Sequence, residues 1–287
     1  MHNYQIITDS GCDLPVHMLQ ELDIKTVPLH VNFRGECLAD SVDEGIEDIY
    51  AGLRAGEAAS TAAVNPDRWA DAMKSALENG QDVLVVPFSS GLSATCQSAH
   101  MAAQELQEAY PQRQIFVVDS LCASLGQGLL LYYACQKRNE GLSVSELAQW
   151  VTENRLHLCH WFTVDDLMYL KRGGRVSAAT AVVGTMLKIK PVLHVDDEGH
   201  LINKGKVRGR KASIEALVQK AVELGIPGAN DTMFICHGDC IEDARYLEQL
   251  VKERCGVKNV IIGYTGAVIG SHSGPGTLAL FFLGTHR

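Results

Sequence analysis

No CxxC pair occurs in this sequence, and its nine cysteines are scattered and odd in number. That pattern suits free thiols in a reducing cytoplasm and argues against a disulfide framework. The opening residues, Met1 to Ile7, carry neither a basic start nor a long apolar core, so no secretory leader is expected. The longest apolar stretches, such as Gly128 to Cys135, are too short to span a bilayer, so no integral membrane segment is expected. A basic excess is missing too. The formal net charge is −9, which argues against a nucleic-acid partner, because neutralising phosphates needs a dominant basic footprint. No internal repeat and no low-complexity tract interrupts the 287 residues. What remains is 46% hydrophobic and 21% charged, the balance of a globular chain that buries a real core.

The first half alternates strand and helix signals. Tyr4 to Thr8 is a short apolar run, and Leu14 to Leu22 has helical spacing. Asp82 to Phe88 is a continuous apolar run that reads as a buried parallel strand, followed by helical character from Ala94 to Tyr110. Gln114 to Asp119 repeats the strand signal, and Leu125 to Glu140 the helical one. Such alternation predicts an α/β fold with a mostly parallel sheet. Ile24 to Asp40 reads as a small antiparallel excursion turning at Arg34-Gly35. Asn65 followed by Pro66 marks a helix start. The second half runs β-β-α-β-α-β: a hairpin around Asp196 to Gly199, a helix from Ser213, a strand Thr232 to His237, a helix Ile241 to Cys255, and a strand from Val260. This predicts a second α/β domain with a mixed sheet. The expected division is residues 1–155 and 156–287.

Three segments carry candidate chemistry. After the Asp82 strand come Ser89, Ser90, Gly91, Leu92 and Ser93, with a helix expected from Leu92 or Ser93. Ligands in open α/β sheets bind at such strand ends, and a helix start favours an anion. Two readings stand, an anion site using Ser90, Gly91 and Ser93, or an ordinary cap. A glycine-rich loop from Gly263 to Gly276 holds His272 between two serines, with Gly274 among the glycines that admit a ligand to the backbone. Its spacing is not GxGxxG, so it predicts no dinucleotide cofactor, and His272 is either a site residue or a surface histidine. The third segment is Ala59 to Ala62, where Thr61 on its own reads as a turn residue. No metal site is expected. Cys236, His237, Asp239 and Cys240 offer ligand types but no second cluster at zinc spacing.

On a strand, Lys204, Lys206, Arg208 and Arg210 would share one face. With Lys171, Arg172 and Arg175 they form either a partner-docking patch or a plain solvated face.

Read together, these segments resemble the DegV family of fatty acid-binding proteins. The carriers of the resemblance are Thr8-Asp9-Ser10 through Asp13-Leu14-Pro15; Thr61; Ser89 to Ser93; Asp119-Ser120 with Gly126 to Gly128; Leu170 to Arg175; Leu187 to Leu193; and Gly270 to Gly276. They run in family order over essentially the whole chain. The resemblance implies a two-domain DegV-like fold with the acyl chain in a tunnel between the domains. It implies that Thr61 and Ser93 hold the carboxylate of a long-chain fatty acid, with His272 nearby. It further implies a non-catalytic, cytoplasmic bacterial carrier that presents its ligand to a separate fatty acid kinase, which makes an acyl-phosphate for phospholipid synthesis. Two segments depart from the family pattern, Ala94-Thr95-Cys96 and Ser60 to Pro66, and neither removes a hydroxyl assigned to the head group.

The competing classes are a lipid sensor without a kinase and a serine esterase using Ser93 and His272. Against the esterase, Gly91 to Thr95 lacks the second glycine of a G-x-S-x-G elbow. Apolar candidates for the tunnel wall are Met186, Ile189, Val268, Ile269 and Phe281.

Overall fold

The computed structural model describes residues 3–177 and 188–287. Met186 and the first residue of the motif Leu187 to Leu193 lie outside the described residues.

A four-stranded, all-parallel sheet is ordered β2 (Ile24–Val27), β1 (Tyr4–Asp9), β6 (Asp82–Val85), β7 (Ile115–Val117). The central strands β1 and β6 are apolar on both faces because helices cover both, which is why they read as unbroken apolar runs. A small antiparallel sheet is ordered β4 (Glu36–Ala39), β3 (His30–Phe33), β5 (Ala59–Ala62). Its β3–β4 hairpin turns at Arg34 and Gly35, both at positive φ, as a two-residue type I′ turn requires. The predicted excursion thus begins later than expected. Ile24–Val27 pairs in parallel with β1, and only residues from His30 onward leave for the second sheet.

The third sheet has six strands in the order β10 (Leu201–Arg208), β9 (Ile189–Val195), β8 (Leu158–Thr163), β13 (Leu278–Leu283), β11 (Thr232–His237), β12 (Asn259–Tyr264). Only β11 and β12 run parallel, so the sheet is mixed. Alternation divides its residues between two cores. Trp161, Ile235, Leu280 and Phe282 face two helices on the outside, α8 (Arg210–Leu224) and α9 (Ile241–Cys255). Phe162, Phe234, Ala279 and Phe281 face inward.

The inward core is shared by both halves of the chain. Helix α5 (Leu125–Asn139) is buried around most of its first turns. It meets Ile6, Leu84 and Val86 of the parallel sheet and Phe162, Phe234 and Phe281 of the mixed one within one continuous core. A helix apolar on all sides belongs in such a place. A further core packs α2 (Ile46–Arg54), α3 (Pro66–Glu78) and α4 (Thr95–Ala109) against Ile7, Val83 and Val85. Asn65 caps α3 as predicted, its Oδ1 accepting from the Arg68 N–H at 3.0 Å.

Three further corrections concern the site. Helix α4 begins at Thr95, so Leu92 and Ser93 stand in the turn before it. His272 sits on a short helix, α10 (Ala267–Ser273), where a loop was expected. The basic run does not stay on one strand face. A bulge between Asn203 and Gly205 breaks the register, and Arg210 is the first residue of α8. Arg210 is tied inward, 2.8 Å from Asp243 and 3.7 Å from Asp165, whereas Lys206 and Arg208 remain exposed.

Candidate functional site

The parallel sheet reverses its winding between β1 and β6, and ligands of open α/β sheets bind outside the strand ends at such a switch point. Here Asp9 ends β1 and braces both departing loops. Its Oδ1 accepts from the Gly11 N–H at 3.0 Å and its Oδ2 from the Phe88 N–H at 2.7 Å. Burial pushes the Asp9 carboxyl up to about 7, with those amide donors opposing the rise. Next to it, Ser10 Oγ donates to Asp40 Oδ2 at 2.7 Å, and Asp40 Oδ1 accepts the Val268 N–H at 2.9 Å. Asp40 therefore caps the start of α10 across the fold and sets where His272 is delivered. The Thr8-Asp9-Ser10 motif is the brace of the switch point and does not itself line the cavity.

Above these strand ends lies a cavity of ≈ 330 Å³ walled by both halves of the chain. Small-molecule sites fall in the range of roughly 300–1,000 Å³. Its wall is largely apolar, with Leu29, Phe88, Phe162, Leu170, Val195 and Phe281 among the lining residues. Val268, Ile269 and Phe281 line it as expected, whereas Ile189 is not among the lining residues.

Thr61, Ser93 and His272 all line this cavity. Thr61 projects from β5, held in register opposite Val31. Its Oγ1 shares a 2.7 Å hydrogen bond with His272 Nε2. Burial, reinforced by the positive charge of Arg175, lowers His272 to about 4, so the ring is neutral at neutral pH. Its Nδ1 edge lies against Gly173. Ser93 Oγ sits 2.8 Å from Thr95 Oγ1 and accepts the Thr95 N–H at 3.2 Å. It is half-buried and lines the cavity just before the helix start.

Other expected residues serve the frame around the cavity. Ser90 is exposed, and its N–H donates to Asp119 Oδ1 at 3.2 Å. Gly91 lets the tip of the β9–β10 hairpin dock, since a Cβ there would stand 2.8 Å from the carbonyl oxygens of Glu198 and Gly199. Gly274, at φ +80, lies against the Tyr169 ring. None of the three lines the cavity. Arg172 is exposed at the end of α7 (Leu167–Arg172), its guanidinium over the Tyr169 ring at 4.5 Å.

Residues that sequence reasoning did not place at the cavity include Arg175, Ser124, His160, Cys236, Thr265 and Ser273. Arg175 was legible only as one cation of a basic run. In the fold its Nε donates to the Leu92 carbonyl at 3.2 Å and another of its nitrogens donates to the Gly173 carbonyl. That brings a cation to the cavity that Thr61, Ser93 and His272 also line.

The pair needed for a serine nucleophile is not assembled. Ser93 bonds to Thr95, His272 bonds to Thr61, and among the described residues no carboxylate bonds to His272. Cys236 is turned to Ser124 and Thr265 at 3.2 and 3.1 Å, and Cys240 to the Thr277 carbonyl, so the two thiols of the Cys236 to Cys240 segment are spent in hydrogen bonds. Among the described residues no helix is long and apolar enough to cross a membrane.

Comparison with known proteins matches residues 3–285 to a family profile described as "Uncharacterised protein, DegV family". A DegV domain-containing protein of Clostridium perfringens is 44% identical over 286 residues, covering 99% of this chain and 98% of that protein. A solved DegV family protein from Thermus thermophilus, described by its fatty acid binding, is 32% identical, with a TM-score of 0.87 over 99% of this chain and 100% of that one. The Streptococcus pneumoniae Fatty Acid Kinase (Fak) B3 protein loaded with linoleic acid has the same fold, with a TM-score of 0.85 over 98% of this chain and 99% of that one at 23% identity. The match along nearly the whole sequence, joined to a shared fold, places this chain in the DegV family.

Proposed function

We propose that this chain is a non-catalytic carrier of one long-chain fatty acid. The acyl chain lies in the cavity, between domains 1–155 and 156–287. The carboxylate is held by Thr61 and Ser93, with His272 orienting Thr61 and Arg175 supplying the nearby positive charge. The observation that carries this reading is the composition of the cavity wall, apolar over most of its extent, with Thr61, Ser93, His272 and Arg175 gathered together. Relatives support it, since the Thermus thermophilus protein is described by its fatty acid binding.

The energetics suit the wall. Burying an acyl chain contributes about 0.8 kcal/mol per CH₂, so a sixteen-carbon tail offers on the order of 10 kcal/mol before binding costs. The tail supplies most of the affinity, and the hydroxyl donors set direction and register. A neutral His272 and two hydroxyls satisfy the carboxylate without locking it in a tight ion pair. That leaves the oxygens available to a partner. Replacing Thr61 or Ser93 by alanine should each weaken stearic acid binding about tenfold, at roughly 1.5 kcal/mol for a hydrogen bond to a charged group. Unchanged affinity in both would put the head group elsewhere.

Presentation to a separate fatty acid kinase, in the cytoplasm, completes the proposal. The exposed cations Arg172, Lys206 and Arg208 are the docking residues, whereas the ion pairs of Arg210 to Asp243 and Asp165 make it a structural one. Reversing the charge of Lys206 and Arg208 together should slow phosphorylation of the bound acid by a cognate kinase and leave acid affinity unchanged. Full kinase coupling in that variant would remove the face from the account.

A further inference from the structure

Helix α10 runs along the cavity wall. His272 lies near its end, Val268 and Ile269 in its first turn, and Thr265 just before its start, and all four line the cavity. Five helical steps at about 1.5 Å and two non-helical ones at up to about 3.3 Å put Thr265 roughly 10–14 Å along the wall from His272.

Thr265 belongs to a second polar group. Its Oγ1 donates to Cys236 Sγ at 3.1 Å, and Ser124 Oγ lies 3.2 Å from the same sulfur while hydrogen-bonding to Asp13 Oδ2. Ser124, Cys236 and Thr265 are all buried, all line the cavity, and make no hydrogen bond to Thr61, Ser93 or His272. Their bonding capacity is only partly used. Thr265 Oγ1 keeps its lone pairs, whereas Ser124, whose one hydrogen goes to Asp13, leaves its Oγ to accept the Cys236 S–H. Facing Thr265 Oγ1 with plain methylenes forgoes a hydrogen bond.

The backbone adds a second observation. Ser124 is held at φ 55, ψ −148, a conformation strained for a non-glycine residue and kept where the surroundings enforce it, often at ligand sites. Here the hydrogen bond to Asp13 holds it, turning the serine toward Cys236 and the cavity.

We propose that the cavity accommodates long-chain fatty acids bearing a mid-chain hydroxyl, which donates to Thr265 Oγ1. This rests on the carrier reading, with the carboxylate at Thr61, Ser93 and His272. An extended chain with C–C bonds of about 1.5 Å advances roughly 1.3 Å per carbon, so 10–14 Å corresponds to about eight to eleven carbons. The hydroxyl therefore falls between about the ninth and the twelfth carbon, a range that includes the tenth.

The test is competition binding to the full chain with stearic acid and 10-hydroxystearic acid as probes. The wild-type protein is expected to bind the hydroxy acid at least as tightly as stearic acid. Thr265→Val keeps the side-chain shape, and should weaken the hydroxy acid about tenfold while holding stearic acid within about twofold. Should that variant fail to fold, Thr265→Ala gives the same readout, and the wild-type preference needs no variant. A hydroxy acid bound more weakly than stearic acid, or a ratio unmoved by either substitution, overturns this inference and leaves the carrier reading standing. Failure of both acids to bind overturns the carrier reading, and this inference with it.

Discussion

Gly173→Ala is expected to cost the protein one to two orders of magnitude in fatty-acid affinity while leaving it folded. Gly173 closes helix α7 at φ −71, ψ −10, an ordinary right-handed conformation open to any residue, so alanine brings no backbone strain. What it brings is a methyl group 2.2 Å from His272 Nδ1 and 3.1 Å from Cγ of the same ring. Unbonded atoms do not approach so closely, so the ring must turn away. Its other nitrogen holds Thr61 at 2.7 Å, and that bond is lost in the turn. The head-group hydroxyl is then unoriented, and His272 intrudes where the carboxylate belongs. One or two hydrogen bonds to a charged group, at roughly 1.5–3 kcal/mol each, convert to about 10- to 100-fold in affinity. Titration of the purified variant with stearic acid beside a thermal melt separates the two effects. Native affinity in a folded Gly173→Ala protein would mean that the Thr61–His272 pair does not hold the carboxylate.

The second large effect is expected at the opposite wall. A Cβ at Gly126 would stand 2.1 Å from His160 Nε2, 2.4 Å from its Cδ2 and 2.8 Å from Phe281 Cδ1. In an exposed helix interior, glycine to alanine is favourable by about 1 kcal/mol. Here the collision wins, because the neighbours are held on every side but the cavity. His160 Nδ1 bonds to the Leu158 carbonyl at 2.8 Å, the ring meets Phe281 edge to face at 5.4 Å, and both residues are buried. Burial holds His160 well below its ordinary range, so it does not escape by becoming charged at neutral pH. Both rings line the cavity, and the open direction is into it. Gly126→Ala should therefore destabilise the protein by about 1–3 kcal/mol, as overpacked cores do, and shift its preference toward shorter acids. Comparing affinities for myristic and stearic acid reads that shift. An unchanged ratio would place the acyl chain away from His160 and Phe281.

Local periodicity carried much of the fold. The strand Thr232–His237 and the helix Ile241–Cys255 fall where the pattern put them, since each has a clear apolar face or run and a flanking breaker. What was missed has identifiable causes. Strands β8 and β13 are buried on both sides at the centre of an antiparallel arrangement, so they show no alternation, and Leu158–Thr163 interrupts its apolar run with His160. Ala59–Ala62 is four small residues with weak propensity, made a strand by pairing with β3. Helix α10 contains Gly270 and two serines, poor helix formers, and its start is capped by Asp40, 228 positions away from Val268. No local signal announces such a cap.

The site follows the same division. The strand end and its serines were legible as a place for an anion, and Thr61, Ser93 and His272 were singled out through family resemblance. That Thr61 bonds to a residue 211 positions away was not legible. Neither was the placement of Arg175 at the cavity, nor the reassignment of Arg210 to a half-buried ion-pair cluster, because each depends on how α7 and α8 pack and not on local spacing.

The central claim is that the cavity holds one fatty acid. Mass spectrometry of an organic extract from the freshly purified protein tests it most directly. The account predicts a long-chain fatty acid at close to one molecule per chain, depleted in Gly173→Ala. An extract without fatty acid, from a protein that also fails to take up added stearic acid, would contradict it.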